Sequence, residues 1–242
     1  MDYSWLANPF YVEYLWEGFI NTLLLVGVSA LLGFPLAALV AVTRVLGPWP
    51  LAWIAHGYTT LIRGTPLLVQ LFFFYDGVGR VLPQIPGVRE MFFWPLLRDP
   101  FFYGVLAFTL SVGAYAGEVI RGAMLSVPKG ELEAARSFGM SRFQVLRRIW
   151  LPHAVQICLP TLTGEMILLL KSVPLVSTIA VVDLLRAASI IRDETFRVYE
   201  PLLLVAGIYV AMVMVLTGIM RYMERNFPGV KPASQPGIPR RI

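Results

Sequence analysis

Residues 19–43 contain no Asp, Glu, Lys or Arg, and that single run restricts the fold more than any other feature of the chain. About 20 residues at 1.5 Å rise cross the ~30 Å hydrocarbon layer of a bilayer, so an uncharged stretch of this length reads as a membrane span. Four further stretches have the same character. Residues 101–117 and 202–220 carry no charge, residues 154–170 hold one acid, Glu165, and residues 51–75 are interrupted only by His56 and Arg63. In lipid every backbone amide and carbonyl needs an internal partner, which leaves helices or closed barrels. A barrel strand alternates polar and apolar residues over ~10 positions, and these runs do not.

The expected fold is therefore all-α: a polytopic membrane protein with about five transmembrane helices. One transmembrane domain is expected over residues 1–226, followed by a polar, Pro-rich tail over 227–242 expected to be disordered. Composition agrees, with 57% hydrophobic and 14% charged residues where soluble domains carry ~25% charged. The first residues lack the basic start and small-residue cleavage site of a secretory signal, so the first span is expected to act as its own insertion signal. The N-terminal segment holds Asp2, Glu13 and Glu17 but no Lys or Arg, which places the N-terminus outside. The basic stretch 129–148 and the tail then fall on the cytoplasmic side. The net charge of +5 is explained by this topology and by anionic lipid; no groove motif points to nucleic acid.

Reactive centres are missing. A nucleotide-binding P-loop needs Gly-x4-Gly-Lys-Ser/Thr, and Lys129, Lys171 and Lys231 all lack the glycine before them. His56 and His153 have no ligand partners at metal spacing, so no metal site is expected and structural roles at the interface are. Cys158 lies alone inside a predicted span and reads as a small apolar side chain. No hydrolase or metalloprotease signature occurs, which leaves an intramembrane hydrolase without support.

Charge is concentrated instead between the third and fourth spans. Pro128 breaks the third span, residues 131–138 favour a helix, and Gly139 is suited to end it. A short amphipathic helix parallel to the membrane follows, with Glu131, Glu133 and Arg136 able to pair with a partner's rim and Ala134 and Ala135 leaving one side slim. Within it, Glu133, Ala134 and Ala135 are followed by Gly139, Ile149, Leu151 and Pro152 at the spacing E-A-A-x3-G-x9-I-x-L-P. This pattern resembles the EAA loop of permease subunits from ATP-binding-cassette importers. The run from Arg63 through Gly64, Thr65 and Pro66 to Gln70, the group Ala114, Tyr115, Glu118, Arg121 and the stretch Leu169 to Ser172 are similar to the polar amino-acid uptake branch: permeases for histidine, lysine, arginine, ornithine, glutamine and opines.

The resemblance implies a multi-pass subunit of the bacterial inner membrane that is not itself an enzyme and holds no cofactor. ATP and Mg belong to the partners, two ATP-binding subunits, one docking on the coupling helix of each permease through Glu131, Glu133, Ala134, Ala135, Arg136, Gly139, Ile149, Leu151 and Pro152. A second permease subunit, identical or homologous, and an external amino-acid-binding protein complete the assembly. An ion-gradient-driven transporter or a channel subunit is the alternative, since it too would carry buried charges.

Substrate candidates come from polar stripes within the spans. Thr161, Glu165 and Ser172 recur at i, i+4 and i+11, and Thr59, Arg63 and Gln70 repeat that spacing. Ionisable groups deep in a span cost ~2.5–3.5 kcal/mol if they face lipid, so Arg63 and Glu165 should face protein or water. Glu165 is expected to meet a cationic group and Arg63 the carboxylate of an amino acid, or the two pair structurally. Tyr115 is a further path-lining candidate. In the family, a glutamate at the position of Glu165 contacts substrate in some cationic amino-acid members; here its usual Asn neighbour is Gly164, and a position acidic in some relatives is Ser172.

Overall fold

The computed structural model describes residues 4–226, and among them there are helices and turns but no strands. The tail expected to be disordered lies outside the described residues. Eight helices carry the architecture: α1 (Pro9–Leu46), α2 (Trp49–Gly64), α3 (Leu67–Phe72), α4 (Pro100–Ser126), α5 (Lys129–Ser137), α6 (Leu151–Ser172), α7 (Leu184–Thr195) and α8 (Tyr199–Asn226). Four are long and apolar enough to cross a membrane: α1, α4, α6 with its flanking turns, and α8. The expected second span is the exception. It is broken into α2 and α3 at Thr65 and Pro66, and the 16 residues of α2 fall short of a full crossing.

The break follows from local chemistry. Pro66 has no amide to donate and forces Thr65 into an extended conformation. The carbonyls freed at the end of α2 are collected by Gln70, whose amide nitrogen donates to the Ile62 carbonyl at 2.7 Å and to the Thr65 carbonyl and hydroxyl at 3.1 and 2.9 Å. Helix starts are capped conventionally: the Asn8 and Asp99 carboxamide and carboxylate accept from the amides of Phe10 and Phe101.

The core forms where α1 crosses α4. Small residues allow the close approach, as membrane helices require: Ala37, Ala41, Ala107, Ala114 and Ala116 are fully or almost fully buried. A Cβ on Gly33 would stand 2.7 Å from Val112, and one on Gly113 would stand 2.6 Å from the Leu36 side chain.

Beyond α6 the chain runs through a tight 3-10 turn, Val173–Ile179, whose Val173, Val176 and Ile179 are completely buried. Asp183 opens the short helix α7 by accepting from the amides of Leu185 and Arg186, and the Tyr209 hydroxyl donates to it at 3.3 Å. Burial raises the Asp183 carboxyl above its ordinary range in spite of those donors.

Candidate functional site

Two features are candidates for function: a cavity between spans and a projecting helix that is fastened to two of them. The cavity, about 260 Å³, has α4 on one wall with Phe108, Ser111, Val112 and Tyr115, and α6 on the other with Glu165, Leu168, Leu169 and Ser172; Leu67 of α3 closes the edge. Tyr115, Glu165 and Ser172, read separately from the sequence, thus meet in one space. Apolar walls with a few convergent polar groups are the usual composition of a small-molecule site. Glu165 is half-buried, while the Ser172 hydroxyl donates to its own helix at the Leu168 carbonyl, 2.8 Å away.

Thr161 lies one turn below Glu165 and is exposed, off the cavity wall. Gln70 is buried and committed to the α2–α3 break. Arg63 sits at the rim: its guanidinium carbon is 5.4 Å from the Tyr115 ring centroid, a cation–π geometry, and the Tyr115 hydroxyl reaches the Arg63 carbonyl at 3.5 Å. No ion pair joins Arg63 to Glu165 among the described residues. The acid nearest Arg63 is Glu118, at 3.9 Å.

Glu118 is the centre of a network of guanidiniums. Arg121 bonds it at 3.0 Å across one turn. Arg44, at the end of α1, contacts the other carboxylate oxygen. Arg44 also donates to the Thr59 hydroxyl and meets His56 Nδ1, each at 3.0 Å. One acid therefore ties α1, α2 and α4 together at a single level. No spacing along one chain reveals a contact between Arg44 and Glu118, 74 positions apart.

The projecting helix is α5. Val127 and Pro128 separate it from α4, and Gly139 ends it with φ +79°. The Met140 amide donates to the Ala135 carbonyl and the Gly139 amide to the Arg136 carbonyl, a closing pattern that needs the left-handed residue between them. Glu131, Glu133, Ala134 and Arg136 are exposed, whereas Ala135 turns inward with Leu132. The slim side is thus Ala134 alone; the i, i+3 spacing of Leu132 and Ala135 was the signal for the buried face. Phe138, 86% exposed at the tip, went unremarked in the motif because it occupies a variable position.

Behind α5, Ser141 and Gln144 form a reciprocal capping box that opens the turn Arg142–Val145. A wide turn, Leu146–Trp150, leads into α6. Ile149, Leu151 and Pro152 lie half-buried in this joint. Glu131 of α5 pairs with His153 of α6 at 2.7 Å, and the Trp150 indole donates to the Met124 carbonyl of α4 at 2.8 Å. The helix is pinned to both walls of the cavity.

A bundle of apolar helices around a half-polar cavity, with a helix set outside it and tied to the cavity walls, defines a transport subunit of a membrane. Residues 33–227 match the binding-protein-dependent transport system inner membrane component family. The chain belongs to that family, the permease subunits of ATP-binding-cassette importers. Among curated relatives it is 36% identical to the octopine transport system permease protein OccM of Rhizobium radiobacter over 223 residues, 89% of each chain. It is 37% identical to the histidine/lysine/arginine/ornithine transport system permease protein HisM of Escherichia coli K12 over 222 residues, covering 91% of this chain and 92% of that one. A crystal structure of an amino acid ABC transporter with histidines superposes with a TM-score of 0.76 at 33% identity, covering 93% of this chain and 99% of that one.

Proposed function

We propose that this permease imports basic amino acids or their opine conjugates, and that Glu165 receives the cationic group of the substrate. The observation that carries this reading is the placement of a half-buried Glu165 carboxylate in the cavity between α4 and α6, opposite Tyr115. A carboxylate in a weakly solvated wall favours a cation and rejects an acidic side chain. Arg63, at the rim and already partnered by Tyr115 and Glu118, is the group available to the substrate carboxylate. The relatives named for octopine and for histidine, lysine, arginine and ornithine transport support the substrate class.

The same reading fixes the setting. The chain crosses the bacterial inner membrane five times, with the broken α2–α3 pair as the second crossing, the N-terminus outside and the C-terminus in the cytoplasm. Two permeases stand on two ATP-binding subunits, which hold ATP and Mg, and receive substrate from an external binding protein. Each α5 helix docks on an ATP-binding subunit through the exposed Glu133 and Ala134, while Glu131 is held by His153 of its own chain.

The test is uptake of labelled arginine, lysine, histidine and octopine into proteoliposomes holding the whole assembly, for wild type and Glu165→Gln. Losing a charge-assisted hydrogen bond worth ~1.5–3 kcal/mol should lower uptake about tenfold or more. An assembled Glu165→Gln permease with wild-type uptake of every cationic substrate refutes the assignment.

A further inference from the structure

A second cavity, about 450 Å³, opens where the end of α1 faces the turn behind α5. Its floor and walls are apolar: Leu46, Phe143, Leu146 and Trp150. Leu46 and Phe143 are 46% and 67% exposed, far more than packing residues. Trp150 is held as a fixed wall by its bond to the Met124 carbonyl. Two guanidiniums, Arg136 and Arg142, stand at the mouth. Among the described residues neither has an ion-pair or hydrogen-bond partner for its side chain, unlike Arg44 and Arg121. Of the two acids of α5, Glu131 is committed to His153 and Glu133, one turn before Arg136, forms no ion pair with it among the described residues.

The level of this groove in the membrane is marked independently. Three residues beyond Leu46, Trp49 begins a pair of exposed, mutually tilted indoles with Trp53, at 73% and 63% exposure and 5.9 Å between ring centroids. Exposed tryptophans at the end of a span lie at the headgroup level. The groove therefore combines an apolar slot reaching the end of a span with two unneutralised cations at the depth of lipid phosphates.

We propose that this groove binds one anionic phospholipid, its phosphate between Arg136 and Arg142 and an acyl chain along Leu46, Phe143 and Leu146. Charge complementarity and the exposed apolar wall together select a lipid over a soluble anion, which would leave Phe143 and Leu46 in water. The cytoplasmic leaflet follows from the topology proposed above; the site itself does not depend on it. Lipid here would brace the joint through which α5 is attached to α6, making the permease sensitive to membrane charge.

The experiment titrates phosphatidylglycerol into the detergent-purified assembly of permease and ATP-binding subunits, with bound lipid read by native mass spectrometry. Phosphatidylcholine is the neutral arm and glycerophosphoglycerol, the headgroup without chains, is the free-phosphate arm. Each guanidinium should contribute about fivefold in affinity, so Arg136→Gln/Arg142→Gln should bind phosphatidylglycerol about thirtyfold more weakly while phosphatidylcholine binding is unchanged. Arg136→Lys/Arg142→Lys, which keeps the charge, should retain most of the affinity and guards against misfolding. Phe143→Ser should weaken the intact lipid only. Equal phosphatidylglycerol affinity in wild type and the double Gln variant overturns the proposal, as does glycerophosphoglycerol competing as well as the intact lipid. If the double Gln variant instead sheds its ATP-binding subunits with lipid binding intact, the guanidiniums belong to that interface and the lipid site is wrong, while the docking role of α5 stands.

Discussion

Replacing Glu118 with Gln should unsettle the end of the bundle where α1, α2 and α4 meet, because this one carboxylate faces three guanidiniums. Its side chain is 15% exposed and that of Arg44 is 13% exposed, so their contact is nearly withdrawn from water. Arg121 and Arg63 are 30% and 45% exposed and are partly screened. Removing one partner of a buried pair costs ~3–5 kcal/mol, since the other charge is left uncompensated. Screening at Arg121 and Arg63 places the expected loss near the lower end, about 3 kcal/mol. Arg44→Gln alone should also destabilise, through Glu118 and through the lost bonds to Thr59 and His56. The pair Glu118→Gln/Arg44→Gln should then cost less than the sum of the two, by ~1–3 kcal/mol, because neither residue is left as an orphan charge. Unfolding of the purified permease in detergent, followed across the four forms, reads the cycle. Additivity within about 0.5 kcal/mol would show that Glu118 and Arg44 are not coupled and that the network argument fails.

Gly139→Val should cost ~1–2 kcal/mol or more from the φ of +79°, with no steric contribution, as nothing lies within 4 Å of its Cβ position. Weaker copurification of ATP-binding subunits, with a melting temperature lowered by roughly 2–8 °C, is the expected signature. Phe138→Ala should weaken that association by roughly 2 kcal/mol, as an exposed aromatic anchor at the tip implies; an unchanged dissociation constant counts against docking through the tip. Gly18→Ala pushes a methyl to 2.7 Å from the Asp183 carbonyl oxygen, backbone on both sides, and should cost ~1–3 kcal/mol in a thermal melt. Gly27→Ala, on the same helix with nothing within 4 Å, should be neutral or slightly stabilising.

The parts of this fold that a linear reading reached are those governed by local rules. Uncharged runs located α1, α4, α6 and α8, and motif spacing located α5 and its Gly139 stop. Gly64 and Pro66 marked where the second apolar run would loosen, but not that Gln70 would reach back eight residues to hold the broken ends. Polar side chains on a stripe therefore separated into two kinds only in three dimensions: Glu165 entered a cavity, while Gln70 repaired the backbone. The Glu118 network stayed hidden for a different reason. Its members come from three helices whose relative rotation is set by glycine and alanine packing between α1 and α4, and a few degrees of rotation would change every partner.

The two functional features also explain each other. On the proposed function, work delivered to α5 has to reach the cavity, and the chain offers two short connections. The Glu131–His153 pair links α5 to the first turn of α6, and the Trp150–Met124 bond links the joint to the last turn of α4. Those are the same two helices whose upper parts present Glu165 and Tyr115 to the cavity. Meanwhile α4 is locked to α1 and α2 through Glu118, so it resists moving independently of them. A displacement of α5 is then best accommodated by α6 turning against a rigid α1–α2–α4 unit, which changes the separation of Glu165 from Tyr115 without breaking either wall. Weakening the Glu131–His153 tie should consequently slow transport more than it lowers affinity for the ATP-binding subunit, because the contact would transmit motion rather than hold the partner.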